Sequence, residues 1–264
     1  MTGRTPGKRL LVLVLAPVLL AATGLALLPG GGAHAAPAGR AAQIRISRVI
    51  GHSVKGRAIH AYYRGTKGAQ HVLLLIGQMH GDEHAGPHTA NWVRANIHPK
   101  PGSGVWVVPT MNPDGNARNT RQNAHGVDLN RNWPTSGWRH TPRGSVTYGG
   151  PKPASEPEVR AMMRFLRAIK PDYVASLHQA LHAIGREGDK PGWLRRLHRN
   201  LGLPVRDLGV GNPKGTVSPT MTAWYDKRFL KYGVATTIEY GAHPSHHWVT
   251  VHAGRGIAMA ARVV

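Results

Sequence analysis

The run HVLLLIG at residues 71–77 is apolar without interruption. A strand that alternates apolar and polar residues covers one face of a sheet, whereas an unbroken apolar strand is buried on both. GVWVVPT at 104–110 repeats the pattern and stops at Pro109. Two doubly buried strands need a layer above and a layer below them, and the flanking segments can supply both. HAGPHTANWVRANI (84–97) and SEPEVRAMMRFLRAI (155–169) read as helices, the second with Ser155 as cap and Pro157 in its first turn. PGWLRRLHRNLG (191–202) reads as a third helix and 248–264 as a weaker one. IRISRVI and AIHAYYRG alternate like half-buried strands, and PDYVASLHQ (171–179) and YGVATTIEYG (232–241) read as strands ending in polar residues. Residues 111–154 are rich in Asn, Gly, Pro and Arg and read as a long loop region, where function tends to concentrate. The expected fold class is α/β, a single domain with a central mixed β-sheet and helices on both faces.

The N-terminus has a different character. A basic head with Arg4, Lys8 and Arg9 precedes an apolar run from Leu10 to Leu28, followed by small residues at Ala33 and Ala35. That order is an export signal with an A-x-A-like cleavage site. The expected organisation is a signal peptide at 1–35, a flexible lead at 36–43 and a catalytic domain at 44–264. An uncleaved membrane anchor is the alternative reading of the same run. The expected location is extracellular or cell-wall associated, with no stable membrane insertion once the signal is removed. The chain has no cysteine, so a metal site must use His and carboxylate ligands.

The formal charge is +22. An excess of that size attracts polyanions. The basic residues are scattered rather than blocked with aromatics, so no nucleic-acid partner is expected. For an exported protein an anionic cell-wall polymer is the fitting partner, and a basic surface that merely aids solubility is the bland one.

His80, His178 and Glu239 each sit at or just past the end of an apolar strand. In open α/β sheets ligands bind at the carboxyl ends of strands. His80, Glu83 and His178 make a His₂Glu set suited to catalytic Zn²⁺, and Glu239 could then be the base for bound water. The stretch HGDEH also fits H-x-x-E-H, with His80 and His84 as ligands and Glu83 as base. Gly81 and the preceding strand argue against the continuous helix that scheme needs. HPSHHW at 243–248 is a rival metal cluster.

The middle loop carries MNPDGNARNTRQNAHGVDLNRNW at 111–133. With His80-x-x-Glu83, SLH ending at His178 and TTIE ending at Glu239, the whole order resembles the zinc metallocarboxypeptidases. In pattern it is most similar to the compact bacterial subgroup that includes murein-peptide amidases. The resemblance implies one Zn²⁺ per chain on His80, Glu83 and His178, and Glu239 as base and then acid. It implies Arg121 as the group polarising the scissile carbonyl, Asn130 and Arg131 as the grip on a free C-terminal carboxylate, and Asp128 as the carboxylate orienting His80. Thr222 falls near the family's specificity pocket. The expected substrate is a cell-wall peptide cut between γ-D-glutamate and diaminopimelate. General carboxypeptidase action on protein-derived peptides, and a catalytically inactive wall-binding relative, are the alternatives. Digestive members carry a mobile tyrosine before the catalytic glutamate, and neither Tyr225 nor Tyr232 sits in a matching context.

Overall fold

The computed structural model describes residues 42–209 and 218–264. The expected signal peptide at 1–35 and most of the expected lead lie outside the described residues. The strands are β1 (Gln43–His52), β2 (Ala58–Thr66), β3 (His71–Ile76), β4 (Ser103–Val108), β5 (Tyr173–Gly185), β6 (Val205–Arg206) and β7 (Val234–Gly241). The helices are α1 (Ala85–Asn96), α2 (Pro113–Arg118), α3 (Pro157–Ile169), α4 (Trp193–Leu201), α5 (Met221–Phe229) and α6 (Ala253–Ala260). Among the described residues no helix is long and apolar enough to cross a membrane.

The sheet runs β1-β2-β4-β3-β5, with β6 and β7 both paired to β5. β1, β2 and β4 pair antiparallel, and β4, β3, β5 and β7 pair parallel, so the sheet is mixed. The unbroken apolar runs have the expected cause. Leu73 and Leu75 of β3, with Val105 and Val107 of β4, pack against residues of α1, α4 and α6. Leu74 and Ile76, with Trp106 and Val108, pack against residues of α3 and α5 on the other face. Each of these β3 side chains is fully buried, worth about 1.5–3 kcal/mol apiece.

Three local expectations are corrected. Ser155 does not cap α3: the N-cap is Glu156, and the Ser155 hydroxyl instead donates to the Glu156 carboxylate at 2.7 Å. Within the expected loop region the N-P-D-G segment opens a helix, because Pro113 suits the first helical position and Asn112 accepts from the Gly115 amide at 2.9 Å. The segment 221–229, which carries no assignment from the sequence, is helical and capped by the Thr220 side chain. β5 runs past 179: its peptide Gln179–Ala180 is cis, and the chain folds back so that Ala183 and Ile184 lie opposite Glu239 and Ile238 of β7.

Candidate metal centre

The first candidate ligands follow β3 in a loop that two amides hold. The buried Gln78 donates from Nε2 to the carbonyls of Gly81 and Glu83, both at 3.2 Å. Asn112 Nδ2 donates to the Met79 carbonyl at 3.1 Å and to the Arg121 carbonyl at 3.3 Å. The loop presses on α2 so closely that a Cβ on Gly81 would lie 2.0 Å from the Gly115 backbone. Only glycine fits there. The N-P-D-G segment thus fixes the loop that presents His80 and Glu83.

β5 brings in His178, whose nearest strand partner on β7 is Glu239. His80, Glu83 and His178 are all buried, and their ligand atoms lie within 4.8 Å of one another. Among the described residues they are the one group of three or more such side chains close enough to share an ion. His80 Nδ1 is 2.7 Å from Glu83 Oε1, His178 Nδ1 is 2.9 Å from Glu83 Oε2, and the two Nδ1 atoms are 3.2 Å apart. The other ring nitrogens are engaged elsewhere: His80 Nε2 with Asp128 Oδ1 at 3.0 Å, and His178 Nε2 with Ser176 Oγ at 3.1 Å. Each imidazole is therefore turned so that Nδ1 faces the common point.

Asp128 ties the surroundings together. Its Oδ1 also accepts from the Asn130 amide at 2.9 Å, and its Oδ2 accepts from Arg121 Nη2 at 2.8 Å and Nε at 3.2 Å. Arg121 Nη1 comes within 3.1 Å of His80 Nδ1. Asn130 Oδ1 accepts from the Met221 amide at 3.1 Å, which orients the side-chain amide. Arg131 Nη1 donates to the Asn130 carbonyl at 2.9 Å. Glu239 is buried, and Leu181, on the folded-back arm of β5, donates its amide to Oε2 at 3.4 Å.

The electrostatics favour positive charge at the centre. Burial opposes a charge on His80, yet the Asp128 and Glu83 carboxylates outweigh it and push its pKa up to about 9. Burial alone would raise Glu83, but His178 and His80 bring it down to about 2. Asp128 is likewise held below the usual carboxylate range, by His80 first and then by Arg121 and Arg131, against its own burial. Arg131 is lowered by burial, which Asp128 partly offsets. Two imidazole nitrogens and an ionised carboxylate aimed at one point form a donor set that a divalent cation satisfies. The residues fit zinc.

His80, Glu83, Arg121, Asn130, Arg131, His178 and Glu239 all line one pocket of about 240 Å³. Thr222 does not. It is buried in the first turn of α5 with its hydroxyl 3.2 Å from that of Thr220, and Thr220 lines the pocket in its place. His84 is exposed and bonds Asn119 Oδ1 through Nε2 at 2.7 Å, outside the ligand group, so the H-x-x-E-H scheme fails. His243, His246 and His247 are not in the group either. Neither Tyr225 nor Tyr232 lines the pocket: the buried Tyr225 hydroxyl donates to the Pro171 carbonyl at 2.5 Å, at the start of β5. Residues 210–217, between the lining residues Leu208 and Thr220, lie outside the described part. One charged lining residue is absent from the expected set. Glu187, in GREGD, faces the pocket and has no basic partner among the described residues, and burial raises its pKa. Its only sequence signal is a carboxylate shortly after the strand that carries His178.

Comparison with known proteins gives a consistent picture. A family profile described as zinc carboxypeptidase matches residues 40–192. Glu239 lies beyond that match. Murein peptide amidase A of Escherichia coli (strain K12) is 34% identical over 154 residues, covering 53% of this chain and 62% of the relative. The enzyme of the same name from Vibrio campbellii is 31% identical over 181 residues, covering 64% and 71%. The matched region thus spans somewhat under two thirds of the Escherichia coli relative's own length. The solved structure of murein-tripeptide amidase MpaA from Escherichia coli O157 superposes with a TM-score of 0.64 at 26% identity, over 82% of this chain and 91% of that one. Carboxypeptidase A from Helicoverpa armigera shares the fold, with a TM-score of 0.67 at 17% identity over 83% of this chain and 69% of that one. The profile covers more than half of the chain and includes the loop, the strand and the ligand trio just described, and the chain belongs to the zinc carboxypeptidase family.

Proposed function

We propose that the chain is an exported zinc metallocarboxypeptidase that hydrolyses the amide next to a free C-terminal carboxylate, with a cell-wall peptide as substrate. The observation that carries the reading is the convergence of the ligand trio, Glu239, Arg121, Asn130 and Arg131 on one pocket. His80, Glu83 and His178 would hold the zinc, which when bound supplies Lewis acidity and lowers the pKa of water. Glu239 takes the proton of the attacking water and returns it to the leaving nitrogen. Arg121 stabilises the charge that develops on the carbonyl oxygen. Asn130 and Arg131 hold the terminal carboxylate, a task for which a planar guanidinium is suited. Asp128 keeps His80 in the right tautomer and orientation.

Glu187 supports a leaving residue whose side chain ends in an ammonium-bearing carbon. A carboxylate facing the pocket without a basic partner recognises an ammonium group, and diaminopimelate carries one at the far end of its side chain. The relatives named murein peptide amidase agree with that choice. Lysine and arginine would satisfy the same carboxylate, so general carboxypeptidase action is the second reading. Export to the cell surface rests on the N-terminal sequence, and association with an anionic wall polymer rests on the charge of +22. A pair of substrates tests the core of the proposal: a γ-D-glutamyl-diaminopimelate peptide with a free C-terminus, and the same peptide amidated there. Cleavage of the free peptide alone supports it. Equal cleavage of both removes the role of Asn130 and Arg131.

A further inference from the structure

Away from the catalytic pocket a second groove, of about 490 Å³, lies between the β1–β2 hairpin and the C-terminal half of α1. Arg45, Ser47, Tyr62, Arg64 and Arg94 line it over an apolar floor. Arg45 and Arg64 are direct partners across the antiparallel ladder and share one face of the sheet. Like charges in that position repel and destabilise the pair. No carboxylate on the surrounding elements relieves them. The sequence has no Asp or Glu before Asp82 and none between His84 and Pro113, so β1, β2, α1 and β4 contribute no carboxylate. Half of the twelve acids are turned inward: Glu83, Asp114, Asp128, Glu156, Glu158 and Glu239 are buried.

Two of the three guanidinium groups are held in place. Arg64 Nη1 donates to the carbonyls of Ala95 at 3.2 Å and Ile97 at 3.0 Å, at the end of α1. Arg94 lies over the Tyr62 ring, 4.1 Å from its centroid. Arg45 is exposed and makes no ion pair among the described residues. We infer that this groove binds a linear polymer of phosphate groups that carries no bases. Three guanidinium groups along one groove, two of them fixed, call for a repeating anion, and a phosphate chain offers one charge per unit to bidentate donors. A nucleic acid would also want an aromatic face for stacking. Tyr62 is already engaged by Arg94 and by His60, whose ring stacks at 6.1 Å. The groove is independent of the catalytic reading, and its failure would leave that reading untouched.

The test uses the zinc-loaded chain and inorganic polyphosphate as probe, with binding measured by fluorescence anisotropy over a salt series. In the double variant Arg45→Gln/Arg94→Gln, affinity is expected to fall at least tenfold, and the slope of log K against log salt by about 1.5 for two lost contacts. The control Arg195→Gln/Arg199→Gln, which removes two exposed charges on α4, is expected to change affinity less than twofold. Arg45→Glu gives a separate readout, because it pairs with Arg64 across the ladder: melting temperature should hold or rise while polyphosphate binding is lost. Equal losses in the groove and control variants would mean diffuse charge and overturn the site. Binding of oligothymidylate or polyglutamate at least as tight as polyphosphate would overturn the assigned polymer.

Discussion

His178 and Glu239 stand directly opposite each other on the parallel strands β5 and β7, so the candidate ligand and the candidate base are neighbours on one face of the sheet. Parallel neighbours are about 4.8 Å apart, and no loop intervenes between these two. Their separation is set by the sheet ladder, the most rigid part of the molecule. Glu239→Gln keeps the shape and removes the proton acceptor. Bound zinc should stay near one per chain, while kcat falls by roughly 10²–10⁴, the usual worth of a positioned general base. Metal analysis beside steady-state kinetics checks both numbers, and normal turnover would remove Glu239 from the mechanism.

Asp128 touches His80, Arg121 and the Asn130 amide at once. Asp128→Asn should weaken zinc binding about 10–100-fold, the range for losing a carboxylate behind a metal-bound histidine. It should also lower kcat at saturating zinc, because Arg121 loses its anchor. Competition with a chromogenic chelator reads the first effect, and kinetics in excess zinc the second. A variant that loses activity but keeps full zinc affinity would show that Asp128 acts through Arg121 alone.

Glu187→Gln separates the two substrate readings. A charge-assisted contact to an ammonium group is worth about 1.5–3 kcal/mol, so kcat/KM for a diaminopimelate peptide should drop roughly 10–100-fold. A peptide ending in alanine should be cut at an unchanged rate. Equal loss on both would make Glu187 a structural residue of the pocket wall.

Asp226 and Glu187 accept from alternate amides of β7, those of Ala235 at 2.6 Å and Thr237 at 3.5 Å. Burial first, and then Glu187, raise the Asp226 pKa from 3.8 to about 7. The folded state therefore binds this proton more tightly than the unfolded one. The stability it contributes is complete below pH 3.8 and is lost as pH rises to about 7. The shift sets an upper bound of about 4 kcal/mol. Asp226→Asn still offers an oxygen to the Ala235 amide. It should flatten the fall in melting temperature between pH 4 and 7 and raise that temperature at pH 8. A pH series by differential scanning calorimetry decides the matter, and an unchanged profile would mean that solvent reaches Asp226.

Much of this was legible from the chain itself, because the informative signals are local. The unbroken runs at 71–77 and 104–110 announce strands covered on both faces, and the ends of such strands are where His80, His178 and Glu239 belong. Features that depend on the path of the chain in space were not legible. The fold-back of β5 after Gln179 has no periodic signature, yet it places the Leu181 amide against Glu239. Whether Thr220 or Thr222 faces the pocket turns on two residues of helix phase at the start of α5. Glu187 has no local signal in GREGD beyond its charge, because its place in the pocket wall depends on β7, whose Thr237 amide donates to it. The arginine pair at 45 and 64 became visible only with the register of the hairpin.

The most direct measurement is made on purified chain whose bound metal has been counted. It is incubated with a wall tripeptide ending in diaminopimelate, with and without a chelator, and free diaminopimelate is quantified. About one zinc per chain and chelator-sensitive release of diaminopimelate is the predicted result. A chain that binds no zinc, or release that a chelator does not affect, would contradict a catalytic zinc on His80, Glu83 and His178.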